Sequence, residues 1–261
     1  MSFELIGLGR LLSTMYAAKA QRISVLRNDI RQEIKKADGY RSSGGDFYGP
    51  FWADAKRHVS GDLDLRHATP NRIAGNAGRS RLYPALTQGF LQWWEEKRRL
   101  RNEPFSIIND NLKARYRVDS LGTIKVENLL AITISDDGHR VIYPYFSEKT
   151  PLGSKSARVG LWVMSQCIDR YALKDMRILD VFQGRSFSEQ DTPLVGDERD
   201  TLFKDYSDLL DEWRELREKY VIAGKTSDGV QVIRSPVKPQ HFTSKEISET
   251  IETIRAGSKK N

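Results

Sequence analysis

The sequence has a single cysteine and no long apolar run, and both absences limit what the protein can be. With Cys167 alone, no disulfide can form within the chain, so we expect a reducing, cytoplasmic location. No apolar stretch approaches the roughly 18 residues that a membrane-spanning helix needs. The first residues lack a basic leader and include the acidic Glu4, which makes them a poor match to a signal peptide. We therefore expect no membrane partner.

Most signatures of enzyme chemistry are also missing. The four histidines are scattered, and none lies at a metal-ligand spacing from another or from Cys167. The sequence contains neither a phosphate-binding P-loop nor a G-x-S-x-G nucleophile motif. These absences favour a protein that is not an enzyme and that needs no metal or other cofactor.

Charge, by contrast, is abundant and unevenly distributed. The formal net charge is +7. Between Lys56 and Arg117 there are 13 Lys/Arg and 6 Asp/Glu residues, whereas Asp180 to Tyr220 contains 6 Lys/Arg and 12 Asp/Glu. Two interpretations stay open: the basic block binds an anionic partner such as nucleic acid, or the basic and acidic segments face each other within the fold.

Residues 1–37 have the apolar period of a helix and predict one long N-terminal helix. The recurring apolar positions are Leu8, Leu12, Met15, Ile23, Leu26, Ile30 and Ile34. A helix of this length is typical of an arm that contacts another protein or a second copy of the chain, and packing on its own domain is the alternative. The glycine- and serine-rich stretch 38–50 then predicts a loop.

Residues 38–105 predict a basic helical region. Its clearest helix is "YPALTQGFLQWWEEKRRL", in which basic residues near the end complement the helix dipole. Basic side chains can contact phosphates, whereas at least one of Trp93 and Trp94 is expected in the core. The candidate nucleic-acid-binding residues are therefore Arg72, Arg79, Arg81, Lys97, Arg98, Arg99 and Arg101.

Residues 106–222 predict a sheet domain. "LKARYRVDS" alternates, "GTIKVENLLAITIS" is typical of one long strand, and "RVIYPYFSE" is a return strand whose Pro144 predicts an edge or a bulge. A helix, another strand and a long amphipathic helix at Glu198 to Tyr220 follow. The predicted class is α+β or α/β, with a helical N-terminal half, a mixed central sheet, a crossover helix and a long C-terminal helix. Residues 223–261 predict a tail with a short strand and helix.

The order of elements from Lys113 to Ser188 resembles the core of the RecB-like PD-(D/E)XK nuclease fold. The matching segments are "ENLLAITISDDGHRVIYPYF", "SARVGLWVMSQCI" and "MRILDVFQGRSFS". The resemblance covers about 75 of 261 residues and rests on element order and apolar texture. It implies a hairpin, a crossover helix and a further strand, with Mg²⁺ as the cofactor of an active enzyme.

The motif positions that this resemblance implies do not carry the catalytic residue types. The hairpin acid falls near Leu129, the D-x-K acid at Pro144 and its lysine at Phe146, and the helix glutamine at Arg158. Apolar side chains cannot bind Mg²⁺ or orient water. If the fold is correct, the site is either inactive or displaced to Glu127, Glu148 and Lys149. Glu127, Glu148 and Lys149 are the catalytic candidates in the second case.

Three functions remain open at this point. The first is a nucleic-acid-associated binding protein, for DNA or RNA, with an inactive nuclease-like core. The second is a metal-dependent nuclease with a displaced active site. The third is an interaction subunit of a larger complex, in which the first helix and the acidic helix dock onto another protein. The charge asymmetry favours the first and third, and the missing motifs weaken the second.

Overall fold

A computed structural model describes residues 3–37, 39, 47–101, 104–108, 112–134 and 138–225, and of 97–101 and 221–225 only the backbone. The chain divides into two units, Met1–Tyr220 and Val221–Asn261. The predicted tail at 223–261 lies outside the described residues, except where the last helix ends. The predicted α+β class is confirmed, because helices precede and follow two mixed sheets in the described part of the chain.

The described chain begins with one short strand and five helices, and most of its strands follow them. The chain begins with β1 (Leu5–Gly7), α1 (Leu8–Met15), α2 (Lys19–Ala37), α3 (Gly49–Ser60), α4 (Leu65–Ala74) and α5 (Tyr83–Arg101). Five strands come next: β2 (Phe105–Ile107), β3 (Ala114–Val118), β4 (Gly122–Val126), β5 (Leu130–Ile134) and β6 (Gly138–Tyr145). The described chain ends with α6 (Ser154–Cys167), β7 (Met176–Asp180), β8 (Arg185–Ser188) and α7 (Glu198–Lys225).

The described strands form two separate sheets. The three-stranded sheet has the order β1-β4-β3, with β1 parallel and β3 antiparallel to β4. The five-stranded sheet has the order β2-β5-β6-β7-β8, in which β6 and β7 are parallel and α6 forms the crossover between them. The predicted crossover helix and the long C-terminal helix are therefore both present.

The five-stranded sheet is covered by helices on both faces. Successive residues of a strand point to opposite faces, and the burial of β6 follows this rule. Val141, Tyr143 and Tyr145 belong to one core, with α1, α2, α6 and α7. Ile142 belongs to a second core with α3, α4 and α5, against which Phe146 also packs. The basic helical region is thus one cover of the sheet.

The predicted single N-terminal helix is wrong. Leu5 to Gly7 instead pair in parallel with Thr123 to Lys125, and two separate helices follow. The chain turns at Tyr16, whose N–H still donates to the Leu12 carbonyl. No glycine or proline marks this turn, and both helices bury apolar residues. The apolar period in the sequence therefore continues across the turn, and the sequence gives no sign that the helix ends there.

The predicted long strand "GTIKVENLLAITIS" is two strands in two different sheets. Asn128 breaks it, with a left-handed φ of 66°, and its carbonyl accepts a hydrogen bond from the Trp52 indole. Pro144 lies in a central strand rather than at a sheet edge. Its position is tolerated because the pairing of β5 with β6 ends at Ile142, so no β5 hydrogen bond is lost at the proline.

Two close contacts fix α5 and α6 on the sheet. A Cβ atom on Gly89 of α5 would stand 2.1 Å from the Val181 carbonyl oxygen. A Cβ atom on Gly160 of α6 would stand 2.5 Å from Ile178 Cδ1. Both glycines are therefore required by the distance between helix and strand.

Candidate nucleic-acid interface

The positions of the nuclease motif do not converge in space. Leu129 is buried in the core that contains α1 and α6. Phe146 packs on the opposite side of the sheet, where its ring stacks on Tyr48 with centroids 4.8 Å apart. Arg158 is on α6, where its Nε lies 3.6 Å from Glu198 Oε1. These side chains fill cores or stabilise a helix junction, and they do not form a site.

Tyrosines occupy the β6 positions that face α1 and α6. The Gly9 N–H donates a 2.7 Å hydrogen bond to the Tyr143 hydroxyl oxygen, at the start of α1. The Tyr145 hydroxyl donates to the Thr150 carbonyl at 2.6 Å. Burial raises the pKa of Tyr143 to about 12, so this hydroxyl is protonated at neutral pH. Both groups tie backbone segments to the sheet.

The three catalytic candidates have partners of their own. Glu127 follows β4, and its Oε2 lies 3.9 Å from Lys125 Nζ. Glu148 accepts two hydrogen bonds from Arg81 Nη1, at 2.7 and 2.9 Å, and this contact lowers the pKa of Glu148. Lys149 is exposed beside it. In the described part of the chain, no three His, Cys, Asp or Glu residues are grouped as metal ligands would be.

Asp180, the buried carboxylate of the sheet, has a role in holding loops. It accepts hydrogen bonds from the N–H groups of Leu152, at 2.8 Å, and Gln183, at 3.2 Å. Burial raises the pKa of Asp180, while those backbone donors act in the opposite direction. The group therefore fixes the loop before α6 and the turn after β7.

The arginines predicted to bind nucleic acid are used within the protein where their side chains are described. Arg72 makes a double contact with the buried Asp54, with Nε–Oδ2 and Nη2–Oδ1 distances of 2.7 and 2.9 Å. Arg79 donates to the Arg72 carbonyl and lies over the Tyr83 ring. Arg81 binds Glu148. A phosphate would have to displace these contacts.

The other predicted residues of this set cannot be placed as side chains. Lys97, Arg98, Arg99 and Arg101 are in the last turns of α5, where only the backbone is described. The expectation for the tryptophans is met, because Trp93 is buried and Trp94 packs edge-on against Phe105 with centroids 5.3 Å apart.

A second group of basic residues lies on the outer face of the three-stranded sheet. We call it the basic sheet face, and it consists of Lys113, Arg115, Arg117 and Lys125. Arg115 and Arg117 are exposed residues of β3, Lys113 directly precedes this strand, and Lys125 is on β4. Residues two apart on a strand share a face and are about 6.6 Å apart, so the three β3-side cations form a row.

The opposite side of the same sheet packs into a core, so the side chains of this row point outward. Ile124 and Val126 are buried there, and Tyr116 packs edge-on against Trp162. On the outer face, Leu5, Thr123 and Arg117 lie side by side across the three strands. Leu5 is 44% exposed, so solvent reaches this face of the sheet. The three-stranded sheet therefore has one apolar face and one basic face.

The basic sheet face places like charges against each other. Arg115 pairs directly with Lys125 across β3 and β4. Like charges in this position destabilise a sheet, because the Cβ atoms are only about 5 Å apart. Glu127 lies beside Lys125, with its Oε2 3.9 Å from Lys125 Nζ. The face is thus a local excess of positive charge.

The sequence contained a signal for this face that the charge count did not use. Lys113, Arg115 and Arg117 alternate with apolar residues in "LKARYRV". In a strand, this spacing puts all three cations on one face and the apolar residues on the other.

The second helix and the last helix contact each other within the unit that ends at Tyr220. Arg22 Nε lies 2.6 Å from Glu212 Oε2, and Arg217 Nε lies 3.5 Å from Glu33 Oε2. Leu26 and Trp213 of these helices share a core. The use of either helix for docking on another protein, or for self-association, stays a prediction.

The chain was compared with protein families, curated proteins and solved structures. No family model, no curated protein and no solved structure matches the chain. None of the helices in the described ranges is both long and apolar enough to cross a membrane. The resemblance to the RecB-like fold therefore stays a prediction, and function has to be argued from the geometry of the chain itself.

Proposed function

We propose that the protein binds nucleic acid through the basic sheet face and does not cleave it. The observation that carries this proposal is the pairing of Arg115 with Lys125 directly across two strands. Such a pair costs stability in the free protein and is relieved by an anion bound to Arg115, the exposed member of the pair. The charges of Arg115 and Lys125 are not required for packing of the core, because both side chains point away from it.

The chemistry of the face fits a phosphate backbone better than bases. Arg and Lys side chains in a row can follow successive phosphates, and phosphate contacts supply most sequence-independent affinity. The aromatic residue of β3, Tyr116, points inward against Trp162 and is not a stacking platform. We therefore propose backbone binding that does not discriminate between sequences.

The nuclease-like core is proposed to be a scaffold. Its motif positions carry Leu129, Pro144 and Phe146, and the displaced candidates Glu127 and Glu148 are held in separate ion pairs. Incubation of plasmid DNA with the protein and Mg²⁺ or Mn²⁺ should leave the DNA intact. Cleavage that Glu127→Ala abolishes would contradict the proposal and favour the displaced site.

The binding proposal is tested by titrating labelled duplex and single-stranded DNA and RNA over a salt series. Contacts of Lys113, Arg115 and Arg117 with phosphates predict a slope of log K against log[salt] of about −2.7 for duplex DNA, since the Lys125 side chain is only 18% exposed and already faces Glu127. Replacing Arg115 and Arg117 by alanine should make the slope less steep by about 1.8, and weaken binding at 100 mM salt roughly 60-fold.

The control removes the same charge from another surface. Arg27 and Lys36 are exposed on α2, and their double alanine variant has the same net charge as the test variant. It should bind as the wild type does. If both variants lose affinity equally, or if the wild type shows no binding at about 50 mM salt, the proposed interface is wrong.

A further inference from the structure

The outer face of the three-stranded sheet changes in character from β3 to β1. Two rows of paired residues cross it, and they are Arg117–Thr123–Leu5 and Arg115–Lys125–Gly7. In each row the residue on β3 is an exposed arginine, and the residue on β1 is uncharged. The face therefore has a cationic edge at β3 and an uncharged edge at β1.

The uncharged edge is accessible to a ligand. Leu5 is 44% exposed, whereas the next residue of β1, Ile6, is buried in the core on the other face. A Cβ atom built on Gly7 would meet no described atom within 4 Å, so the described structure leaves open space over this residue. The backbone of Gly7 is extended, with φ −72° and ψ 140°. An apolar side chain and open space thus lie beside the cations.

The distance between the two edges suits the dimensions of a nucleotide. Strand β4 lies between β3 and β1, and neighbouring strands are about 4.8 Å apart, so the two edges are about 10 Å apart. A nucleotide spans a similar distance from its phosphate to the far edge of its base. A phosphate at β3 therefore brings the base of the same nucleotide over β4 and β1.

A duplex and a single strand would meet this face differently. A duplex stacks its bases inside and presents phosphates and sugars, so Leu5 would contact a polar surface. A single strand exposes its bases, which can lie on uncharged residues while the phosphates follow the cations. Electrostatic attraction alone favours the duplex, because its charge density is higher. The uncharged edge is therefore the feature that distinguishes the two ligands.

We propose that the basic sheet face binds single-stranded rather than duplex nucleic acid, with the phosphates along β3 and the bases over Leu5 and Gly7. This inference rests on the proposed function and adds to it the form of the nucleic acid. Contact of a base with an apolar side chain involves no hydrogen bond to the base edge, so binding still does not discriminate between sequences.

Three labelled probes of equal length separate base contacts from charge. They are a single DNA strand, the same strand paired with its complement, and an abasic strand that keeps the sugar–phosphate backbone. Titration of each with the full chain should show the single strand binding more tightly than the duplex, and about fivefold more tightly than the abasic strand, since burial of the exposed part of Leu5 contributes roughly this factor. Three phosphate contacts on a single strand predict a slope of log K against log[salt] of about −2.1.

Two variants change the uncharged edge in opposite directions. Leu5→Ser should weaken binding of the single strand about fivefold and leave the duplex and the abasic strand unchanged. Gly7→Tyr places a ring over the open space and should strengthen binding of the single strand about fivefold or more, because stacking of a base on an aromatic side chain contributes at least this factor. Ile34→Ser is the matched control, since Ile34 on α2 is 41% exposed, and it should bind as the wild type does.

The outcomes separate this inference from the proposed function. Equal or tighter binding of the duplex by the wild type, or a Leu5→Ser effect that is the same for all three probes, would overturn the preference for a single strand. The proposed function would stand in both cases, provided that the double alanine variant of Arg115 and Arg117 loses affinity for the duplex. If the wild type binds none of the probes, both proposals are wrong.

Discussion

The helical layer of α3, α4 and α5 and the basic sheet face are both rich in arginine, but their charges do different work. In the helical layer, Arg72 binds a buried carboxylate and Arg81 binds Glu148, so the charges are neutralised within the chain. On the sheet face, Arg115 and Arg117 are exposed and Arg115 is paired with another cation. The first region uses arginine to hold itself together.

The difference shows why a count of charges along the chain is a poor guide to an interface. The stretch from Lys56 to Arg117 contains cations of both regions, and its excess of positive charge is the same whichever of them are free to bind a ligand. What distinguishes them is the partner of each cation. A cation that faces a like charge has more to gain from an anionic ligand than one already paired.

The largest expected effect is on stability, from Arg72→Ala. The side chain of Asp54 is only 4% exposed, and losing Arg72 leaves its charge buried without a partner. Breaking a buried pair costs about 3–5 kcal/mol, and the partial exposure of Arg72 reduces this to about 2 kcal/mol. Urea unfolding measures the change. Nucleic-acid affinity of the folded variant should equal that of the wild type.

Arg66→Ala is the matched control for that experiment. Arg66 also pairs with an acid, Glu95, but both side chains are about half exposed. Its removal should change the free energy of unfolding by less than about 1 kcal/mol. Adding Asp54→Asn to Arg72→Ala should restore part of the lost stability. Equal effects of Arg66→Ala and Arg72→Ala would show that burial does not distinguish the two pairs.

A smaller effect is expected for Tyr143→Phe, which tests the support beneath the basic sheet face. The Tyr143 hydroxyl accepts a hydrogen bond from the N–H of Gly9, two residues after the end of β1, the strand that pairs with β4. Losing this buried contact should cost about 1–2 kcal/mol. If β1 stays paired with β4, nucleic-acid affinity should be unchanged. A parallel loss of affinity would show that the face depends on this anchor.

The stability difference between the wild type and Tyr143→Phe is expected to depend on pH. Because the pKa of Tyr143 is raised from 10.0 to about 12, the folded protein keeps this proton where the unfolded chain loses it. The stabilisation is complete below pH 10 and is lost as the pH rises through 12. The stability difference between wild type and Tyr143→Phe should therefore narrow over that range, as measured by urea unfolding at each pH.

The class and the order of the main elements could be predicted because they depend on local periods. The change from helical to strand spacing, the crossover helix and the long acidic helix all follow apolar patterns within single segments. The breaks inside segments could not be predicted. The turn at Tyr16 has no glycine or proline, and the left-handed Asn128 divides an apolar run that reads as one strand.

The candidate site was predicted less well, and for a different physical reason. Whether an arginine is free depends on which acid the fold brings to it. Asp54 is 18 residues from Arg72, and Glu148 is 67 residues from Arg81. No local pattern gives such pairings. The alternation of Lys113, Arg115 and Arg117 with apolar residues is a local pattern, and this pattern could have predicted the basic sheet face from the sequence.

A still smaller effect, of opposite sign, is expected for Arg115→Glu. Opposite Lys125, the new carboxylate converts a like-charge pair into an attractive one and should raise the free energy of unfolding by about 0.5 kcal/mol. Nucleic-acid binding should be lost at the same time. Arg117→Glu is the control, because Thr123 lies opposite. It should weaken binding similarly without the gain in stability, and an equal gain in both variants would contradict the proposed role of the pair.

The smallest effect is expected for Glu148→Ala, which asks whether the helical layer has any part in binding. The substitution releases Arg81 from its two hydrogen bonds and leaves an exposed cation. Because both partners are exposed, the urea unfolding midpoint should not move measurably. If only the basic sheet face contacts phosphate, the salt dependence of DNA binding should also stay unchanged. If the released Arg81 reaches a phosphate, the slope should become steeper by about 0.9, and the proposed interface would have to extend across the helical layer.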